Sequence, residues 1–159
     1  MSAQELIAFL FFVFVCFAVA GISGLFMAEG VGAWYDHLRK PRFNPPKWIF
    51  GPVWTLLYLM MGVAGFLAWR EVGFWHVAML LFFVQLALNF AWSFVFFSAH
   101  RIGLALADIL VLWLSILVTL VAFAQISMPA ALLLAPYLAW VSFAGVLNAS
   151  IWRLNHHHA

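Results

Sequence analysis

The chain has 159 residues, of which 68% are hydrophobic and 8% are charged, and its formal net charge is +2. This composition lies far outside the range of soluble globular proteins. The apolar runs are continuous and do not alternate with polar residues, which excludes a transmembrane β-barrel. The sequence therefore predicts an all-α membrane protein.

Five apolar segments are long enough to cross a hydrocarbon core about 30 Å thick as helices. We expect a single transmembrane domain over residues 1–159, a bundle of five helices with a long ordered loop at 28–46, between the first and second spans. The later connections are short, which predicts that consecutive helices pack antiparallel. The predicted spans are residues 5–27, 47–69, 76–98, 102–124 and 129–152.

The first span is too long for a secretory signal, and no cation precedes it in residues 1–5. We therefore expect it to remain in the mature protein. It contains Cys16, the chain's one cysteine. A disulfide or a cysteine-based metal site within one chain is thereby excluded.

The loop between the first two spans has helical periodicity. Trp34, Tyr35 and Leu38 predict one or two amphipathic turns over residues 33–39, lying across the mouth of the bundle, and Pro41 is expected to end them. An ordered loop of this length is typical of a functional lid.

Prolines set the direction in which the second span begins. Asn44 precedes Pro45 and is held in extended geometry, so its side chain is predicted to cap the second helix. Pro45 and Pro46 suit a first helical turn. Pro52 lies about a turn inside the span and is expected to bend the helix near Trp54.

With five spans, six of the seven cations fall on one side of the membrane and Arg70 falls on the other. The positive-inside rule then places the long loop and the C-terminus in the cytoplasm and the N-terminus outside. We expect a multi-pass protein of a bacterial cell membrane, without a metal site. The six cations are Arg39, Lys40, Arg42, Lys47, Arg101 and Arg153.

Polar amides inside the spans must avoid lipid, because an unpaired amide in hydrocarbon costs several kcal/mol. Gln85, Asn89 and Asn148 are therefore predicted to face the interior of the bundle. They either join helices through hydrogen bonds or line a cavity. Trp54 and Trp92 lie at the same depth as Asn89, roughly 10 Å below the basic side, which favours a cavity for an apolar ligand.

On the fifth span, Trp140, Ala144 and Asn148 recur every four residues and share one face of the helix. Asp108 is the single ionisable residue well inside a span. We expect it to be structural and paired with Arg101 or with a tryptophan N–H, while an intramembrane acid also remains a functional candidate. A hydrolytic site has no support, since no second acid or histidine lies at the same depth.

Short motifs recur over nearly the whole chain, and they include Trp34-Tyr35-Asp36, Pro45-Pro46-Lys47-Trp48, Gly51-Pro52-Val53-Trp54, Leu57-Tyr58, Leu88-Asn89, Trp92-Ser93, Ala107-Asp108, Pro136-Tyr137-Leu138-Ala139-Trp140, Leu147-Asn148 and Trp152-Arg153. These motifs resemble those of the tryptophan-rich sensory protein family, TspO/MBR, which includes the mitochondrial translocator proteins. The resemblance implies a five-helix bundle with a ligand pocket below the long loop.

The resemblance also implies binding of tetrapyrroles such as protoporphyrin IX and haem, and of isoquinoline- or benzodiazepine-type ligands, with no obligatory cofactor. Sterol binding is expected to be weak, because Ala149 stands where the sterol motif of animal relatives has a tyrosine. The loop cations Arg39, Lys40, Arg42 and Lys47 are expected to attract ligand carboxylates. The implied pocket residues are Tyr35, Trp54, Tyr58, Asn89, Trp92, Trp140, Ala144 and Asn148.

Three functions follow from these observations. A receptor or sensor is favoured, because neither a catalytic constellation nor an inverted repeat is visible. The alternatives are a transporter of porphyrins or sterols and an enzyme that degrades porphyrins in light.

Small residues predict how the chain assembles, since helices in lipid associate where their backbones approach closely. Ala87 and Ala91 lie four apart on the third span and predict a homodimer. The rival contacts are Gly21 with Gly24, and Gly62 with Gly65.

Overall fold

The computed structural model describes residues 1–158, and within them the chain is helical, with no strand. Five helices are long and apolar enough to cross a membrane, which confirms the predicted fold class. They are α1 (Ala3–Ala33), α2 (Lys47–Val72), α3 (Val77–Ser93, continued by a π-helical turn over Phe94–Ser98), α4 (Ile102–Ala124) and α5 (Met128–Asn155).

The first helix is longer than the predicted span at both ends. At its start, Ser2 caps the helix, and its hydroxyl accepts from the Glu5 amide at 3.1 Å while the Glu5 carboxylate accepts from the Ser2 amide at 2.8 Å. At its other end, the helix continues to Ala33, six residues beyond the predicted span. The apolar composition identifies only the segment that lies in the hydrocarbon core, and the helical hydrogen bonds continue past that segment. The first loop is therefore residues 34–46, shorter than predicted.

The helices form a closed ring in the order α1, α2, α5, α4, α3. Each helix packs on its two neighbours in this order, and α3 with its π-helical turn closes the ring against α1. The predicted packing of consecutive helices holds for α1 with α2, α3 with α4 and α4 with α5. It fails in part for α2 and α3, which contact each other sparsely because they flank α1 on opposite sides.

Two glycines of α2 allow α1 to approach closely. A methyl group on Gly62 would lie 3.0 Å from the Val13 Cα, and one on Gly65 would lie 2.9 Å from the ring atoms of Phe12 and Phe82. Both glycines are buried inside the bundle. They are therefore unavailable to a second copy of the chain, and this rival dimer contact is wrong.

The first loop is ordered by contacts with the rest of the chain. Trp34 stacks on His100 of the α3–α4 turn, with ring centroids 4.3 Å apart. The Asn155 side chain, at the end of α5, accepts from the Arg39 amide at 3.0 Å and donates to the Arg39 carbonyl at 2.8 Å. The first loop, the α3–α4 turn and the C-terminus thus lie at one end of the bundle.

Of two local predictions about the first loop, one is wrong and the other holds in part, since a single helical turn forms within residues 33–39. Asn44 does not cap α2, whose N-cap position is Pro46, because the Asn44 Oδ1 atom accepts from the Tyr35 hydroxyl at 3.0 Å. The helical turn covers Tyr35–His37 alone and ends before Pro41. Its end is set by Lys40, whose Nζ donates to the carbonyls of Tyr35 and Leu38 and so satisfies them outside a helix.

Candidate functional site: a pair of adjoining cavities

An aromatic cavity of about 40 Å³ lies directly below the first loop and between α1, α2, α3 and α5. Six of the eight predicted pocket residues line it, namely Tyr35, Trp54, Trp92, Trp140, Ala144 and Asn148. The other lining residues are Met27, Phe50, Phe96, Phe97, Leu147 and Ile151.

Aromatic rings in both perpendicular and stacked arrangements form the walls of this cavity. Trp54 of α2 and Trp140 of α5 are nearly perpendicular, with ring centroids 6.4 Å apart. Trp92 of α3 lies nearly parallel to Phe96, at 5.4 Å. Such walls offer both faces and edges to a flat apolar ligand.

Few polar groups reach the aromatic cavity, and most of them are bonded within the protein. The Trp92 indole N–H donates to the Asn148 Oδ1 atom at 3.0 Å, and the Asn148 amide donates to the Ile102 carbonyl at 3.1 Å. The Trp140 indole nitrogen is buried and has no partner within residues 1–158. Because Trp140 lines the cavity, this N–H is a candidate donor to an acceptor atom of a ligand.

Tyr35 forms the roof of the aromatic cavity. It is buried, and burial raises the pKa of its hydroxyl above the ordinary value, although the hydrogen bond with Asn44 acts in the opposite direction. The hydroxyl therefore stays neutral near pH 7 and donates to Asn44 at 3.0 Å. This bond ties the roof to the chain that leads into α2.

A second, larger cavity opens beside the first, and we call it the hydroxyl cavity. Its volume is about 160 Å³, and its walls come from α1, α2 and α3. The two cavities share Met27, Phe50, Trp54, Trp92 and Phe97. The remaining residues that line the hydroxyl cavity are Ala20, Ser23, Gly24, Gly51, Thr55, Tyr58 and Ser93.

The other two predicted pocket residues belong to a polar network at the base of the cavities. Tyr58, which lines the hydroxyl cavity, donates to the Asn89 Oδ1 atom at 2.8 Å. Asn89 donates to the Tyr137 hydroxyl at 2.7 Å, and Tyr137 donates to the Gln85 Oε1 atom at 2.8 Å. Asn89 itself lines neither cavity, because both ends of its amide are used inside this network.

The three amides predicted to face inward do so, since Gln85, Asn89 and Asn148 are all buried. The two roles predicted for them, joining helices through hydrogen bonds and lining a cavity, both occur. Asn148 lines the aromatic cavity and also joins helices, whereas Gln85 and Asn89 join helices only.

The sequence did not predict two residues of the site, Tyr137 of the polar network and Ser23 of the hydroxyl cavity. Tyr137 follows Pro136 inside an apolar run, three residues before Trp140, so helical spacing places it on a neighbouring part of the same face. Ser23 and the other α1 residues that line the hydroxyl cavity lie in a segment that is apolar on all sides, so no helical period marks an inward face. The hydroxyl of Ser23 was the one available signal there.

The four loop cations do not act as one group around the cavities. Lys40 lies over the Tyr35 ring and holds carbonyls of the first loop. Lys47 forms an ion pair with Asp36 at 2.7 Å, and this hydrogen bond lowers the pKa of the Asp36 carboxyl below its ordinary value of 3.8. Arg39 and Arg42 are exposed and form no ion pair within residues 1–158.

Asp108 is not paired as predicted. Its Oδ2 atom is buried without a hydrogen bond, and no ion pair joins it to Arg101 within residues 1–158. No indole N–H donates to this oxygen within the described residues, and the deep indoles of Trp92 and Trp113 donate to Asn148 and Ser142. Asp108 lines neither cavity.

The sequence of the chain decides its family. A family model described as the TspO/MBR family matches residues 12–153. The chain belongs to this family. Membership in the TspO/MBR family, together with the five apolar helices, supports a multi-pass membrane protein with a receptor or sensor role.

Several curated relatives match this TspO/MBR chain over most of its length. The tryptophan-rich protein TspO of Chlorobaculum tepidum is 44% identical over 147 residues, which cover 89% of this chain and 91% of the relative. The translocator protein of Homo sapiens is 46% identical over 127 residues, covering 77% and 75%. The tryptophan-rich sensory protein of Cereibacter sphaeroides is 39% identical over 147 residues, covering 92% and 90%.

Proposed function

We propose that this TspO/MBR protein is a membrane receptor or sensor that binds tetrapyrroles, such as protoporphyrin IX and haem, and smaller isoquinoline- or benzodiazepine-type ligands. The observation that carries the proposal is the aromatic cavity, in which Trp54, Trp92 and Trp140 converge from three helices under an ordered loop. Apolar walls with a few placed polar groups are what a small-molecule site requires.

The chemistry of the walls matches a flat, apolar ring system. Tryptophan rings bind such rings by stacking and by edge-to-face contact, each worth about 0.5–1.5 kcal/mol beyond the burial of area. The unpaired Trp140 N–H adds one directed hydrogen bond to a ligand acceptor. The site thus distinguishes flat aromatic ligands that carry an acceptor from lipid chains, which have neither feature.

Binding requires the site to open, because the described conformation is closed. The aromatic and hydroxyl cavities have volumes of about 40 and 160 Å³, whereas small-molecule sites hold roughly 300–1,000 Å³. The shared wall of Met27, Phe50, Trp54, Trp92 and Phe97 would have to part to merge the two cavities. In this proposal the first loop, which roofs the site, moves with that wall.

Charge governs how an acidic ligand approaches. Lys40 and Lys47 are engaged within the first loop, so Arg39 and Arg42 are the two loop cations that remain to attract ligand carboxylates. Exposed charges of this kind contribute about 0 to 1 kcal/mol per pair and act mainly on the association rate. Porphyrin association is therefore expected to slow as salt rises, more than association of a neutral ligand.

The experiment that tests the proposal is a tryptophan-fluorescence titration of the purified protein with protoporphyrin IX, haem and a neutral isoquinoline carboxamide. The proposal predicts saturable binding of each at one site per chain, and competition between the porphyrin and the isoquinoline. Porphyrin quenching that never saturates, or that the isoquinoline does not displace, would contradict a shared cavity.

The same preparation distinguishes the two alternative functions. A transporter would exchange porphyrin across liposome membranes in a counter-flow assay. A light-dependent degrading enzyme would bleach the porphyrin absorption band under illumination and not in the dark. A receptor or sensor does neither.

A further inference from the structure

Two buried serines of the bundle, Ser23 and Ser93, lack the intrahelical hydrogen bond that several other hydroxyl residues of the spans form. A helical serine or threonine usually donates its hydroxyl proton to the carbonyl one turn earlier. Thr55, Thr119, Ser142 and Ser150 do so, at 2.7 to 2.9 Å. Ser23 and Ser93 are buried and form no such bond.

Both serines line the hydroxyl cavity. Ser23 is 9% exposed, and its Oγ atom forms no hydrogen bond of normal length within residues 1–158, although the Tyr58 hydroxyl lies close enough for a weak contact. A buried hydroxyl without a partner costs about 1–3 kcal/mol, so its persistence facing a cavity points to an occupant that satisfies it.

The other two hydroxyls that line the hydroxyl cavity, those of Tyr58 and Thr55, are available as acceptors. Tyr58 uses its proton on Asn89 at 2.8 Å, and Thr55 uses its proton on the Gly51 carbonyl at 2.8 Å. Both oxygens can therefore only accept. The hydroxyl cavity thus offers two donors, Ser23 and Ser93, and two acceptors, Tyr58 and Thr55, and none of the described residues that line it is charged.

We propose that the hydroxyl cavity is a polar subsite for a neutral group that both donates and accepts hydrogen bonds, such as the hydroxyl or amide of a ligand. The rest of that ligand occupies the adjoining aromatic cavity, so the inference rests on the proposed function. A carboxylate fits poorly, because it cannot donate to Tyr58 or Thr55 and no cation lines the cavity. Ser23 and Ser93 are then specificity-determining residues.

Two porphyrins test this subsite, because haematoporphyrin carries hydroxyethyl groups where mesoporphyrin carries ethyl groups and both carry the same propionates. The subsite predicts that Ser23→Ala and Ser93→Ala each weaken haematoporphyrin binding by roughly 3- to 10-fold, the effect of one lost hydrogen bond, and leave mesoporphyrin binding unchanged. Ser150→Ala is the matched control, since that hydroxyl is bonded to its own helix outside both cavities.

The outcomes separate this inference from the proposed function. If the parent binds both porphyrins and the serine variants change neither affinity, or change both equally, the subsite is wrong and the proposed function stands. If the parent binds neither porphyrin, the proposed function fails, and the subsite fails with it.

Thermal unfolding of the ligand-free protein supplies a second readout. If Ser23 is unsatisfied without ligand, Ser23→Ala leaves the midpoint temperature unchanged or raises it. A midpoint several degrees lower would show that the hydroxyl is bonded within the empty protein, and would overturn the subsite.

Discussion

Asp108 of α4 has a buried carboxylate oxygen that forms no hydrogen bond within the part of the chain that the structure describes. Replacing one partner of a buried ion pair costs about 3–5 kcal/mol, but Asp108 forms no ion pair within residues 1–158, so its replacement does not carry this cost. Asp108→Asn is therefore expected to leave the thermal unfolding midpoint in detergent unchanged or to raise it, because it removes an uncompensated charge.

The comparison for this prediction is Asn89→Leu. That change leaves the Tyr58 hydroxyl without its acceptor and removes the bond that Tyr137 accepts, while Tyr137 keeps its bond to Gln85. An unsatisfied buried hydroxyl costs about 1–3 kcal/mol, so the midpoint should fall. A large loss of stability in Asp108→Asn would reveal a structural bond to the carboxylate.

For individual residues, the sequence predicted which side chains face the interior of the bundle, because their polarity excludes them from lipid. Gln85, Asn89 and Asn148 had to face inward, because lipid cannot satisfy an amide. Their partners were not predictable, since Asn89 bonds residues 31 and 48 positions away in the chain. The pairing expected for Asp108 failed for the same reason: charge identifies a residue that needs a partner and does not say whether the fold supplies one.

Among the elements, the first loop depends on a contact with the far end of the chain. The Asn155 side chain forms two hydrogen bonds with the backbone of Arg39, as a neighbouring peptide group would. Asn155→Leu should remove both and raise amide hydrogen exchange in residues 34–44 by roughly 5- to 30-fold, which corresponds to about 1–2 kcal/mol.

Arg153→Gln is the control for this change, since Arg153 is an exposed side chain in the same last turn of α5. Exchange in the first loop should match that of the parent in this variant. Equal protection in the Asn155→Leu variant would show that Trp34 and Tyr35 hold the first loop without α5.

Element boundaries illustrate what composition can and cannot specify. The predicted fourth span matches α4 at both ends, because its apolar run and its helix coincide. The first span was set six residues too short at its C-terminal end, since α1 continues to Ala33 past the apolar run. The second span was predicted to begin at residue 47, where α2 does begin, but the cap expected from Asn44 is absent because its side chain accepts from Tyr35 across the first loop.

On the scale of the whole molecule, the outward faces of the ring determine how two copies can meet. Ala87 is exposed and Ala91 is half-buried on α3, and Gly21 and Gly24 are exposed on α1. We keep the prediction of a homodimer through α3. Ala87→Leu with Ala91→Leu should give monomers, by light scattering in detergent, that still bind porphyrin.

Gly21→Leu with Gly24→Leu is the counterpart on α1. It should leave the dimer intact if α3 forms the interface. Monomers from the α1 variant and dimers from the α3 variant would transfer the interface to α1.

The architecture followed from sequence because five apolar runs of sufficient length admit only a helical bundle in a membrane. The ring order did not follow, since it depends on packing details such as the approach of α1 to Gly62 and Gly65. The aromatic cavity was largely predictable from the depths of Trp54, Trp92 and Trp140. The hydroxyl cavity was not, because its α1 wall carries no periodic signal.

The central claim is that tetrapyrroles bind among the tryptophans of the aromatic cavity, and one titration tests it most directly. Protoporphyrin IX is titrated against Trp54→Ala, Trp140→Ala and the control Trp113→Ala, whose indole donates to Ser142 and lines neither cavity. Absorbance of the porphyrin is the signal, so the loss of a tryptophan does not alter the readout.

The two cavity variants should bind about 1–3 kcal/mol more weakly than the parent, and Trp113→Ala should bind like the parent. Parent-like affinity in both cavity variants would place the porphyrin elsewhere on the protein and contradict the account.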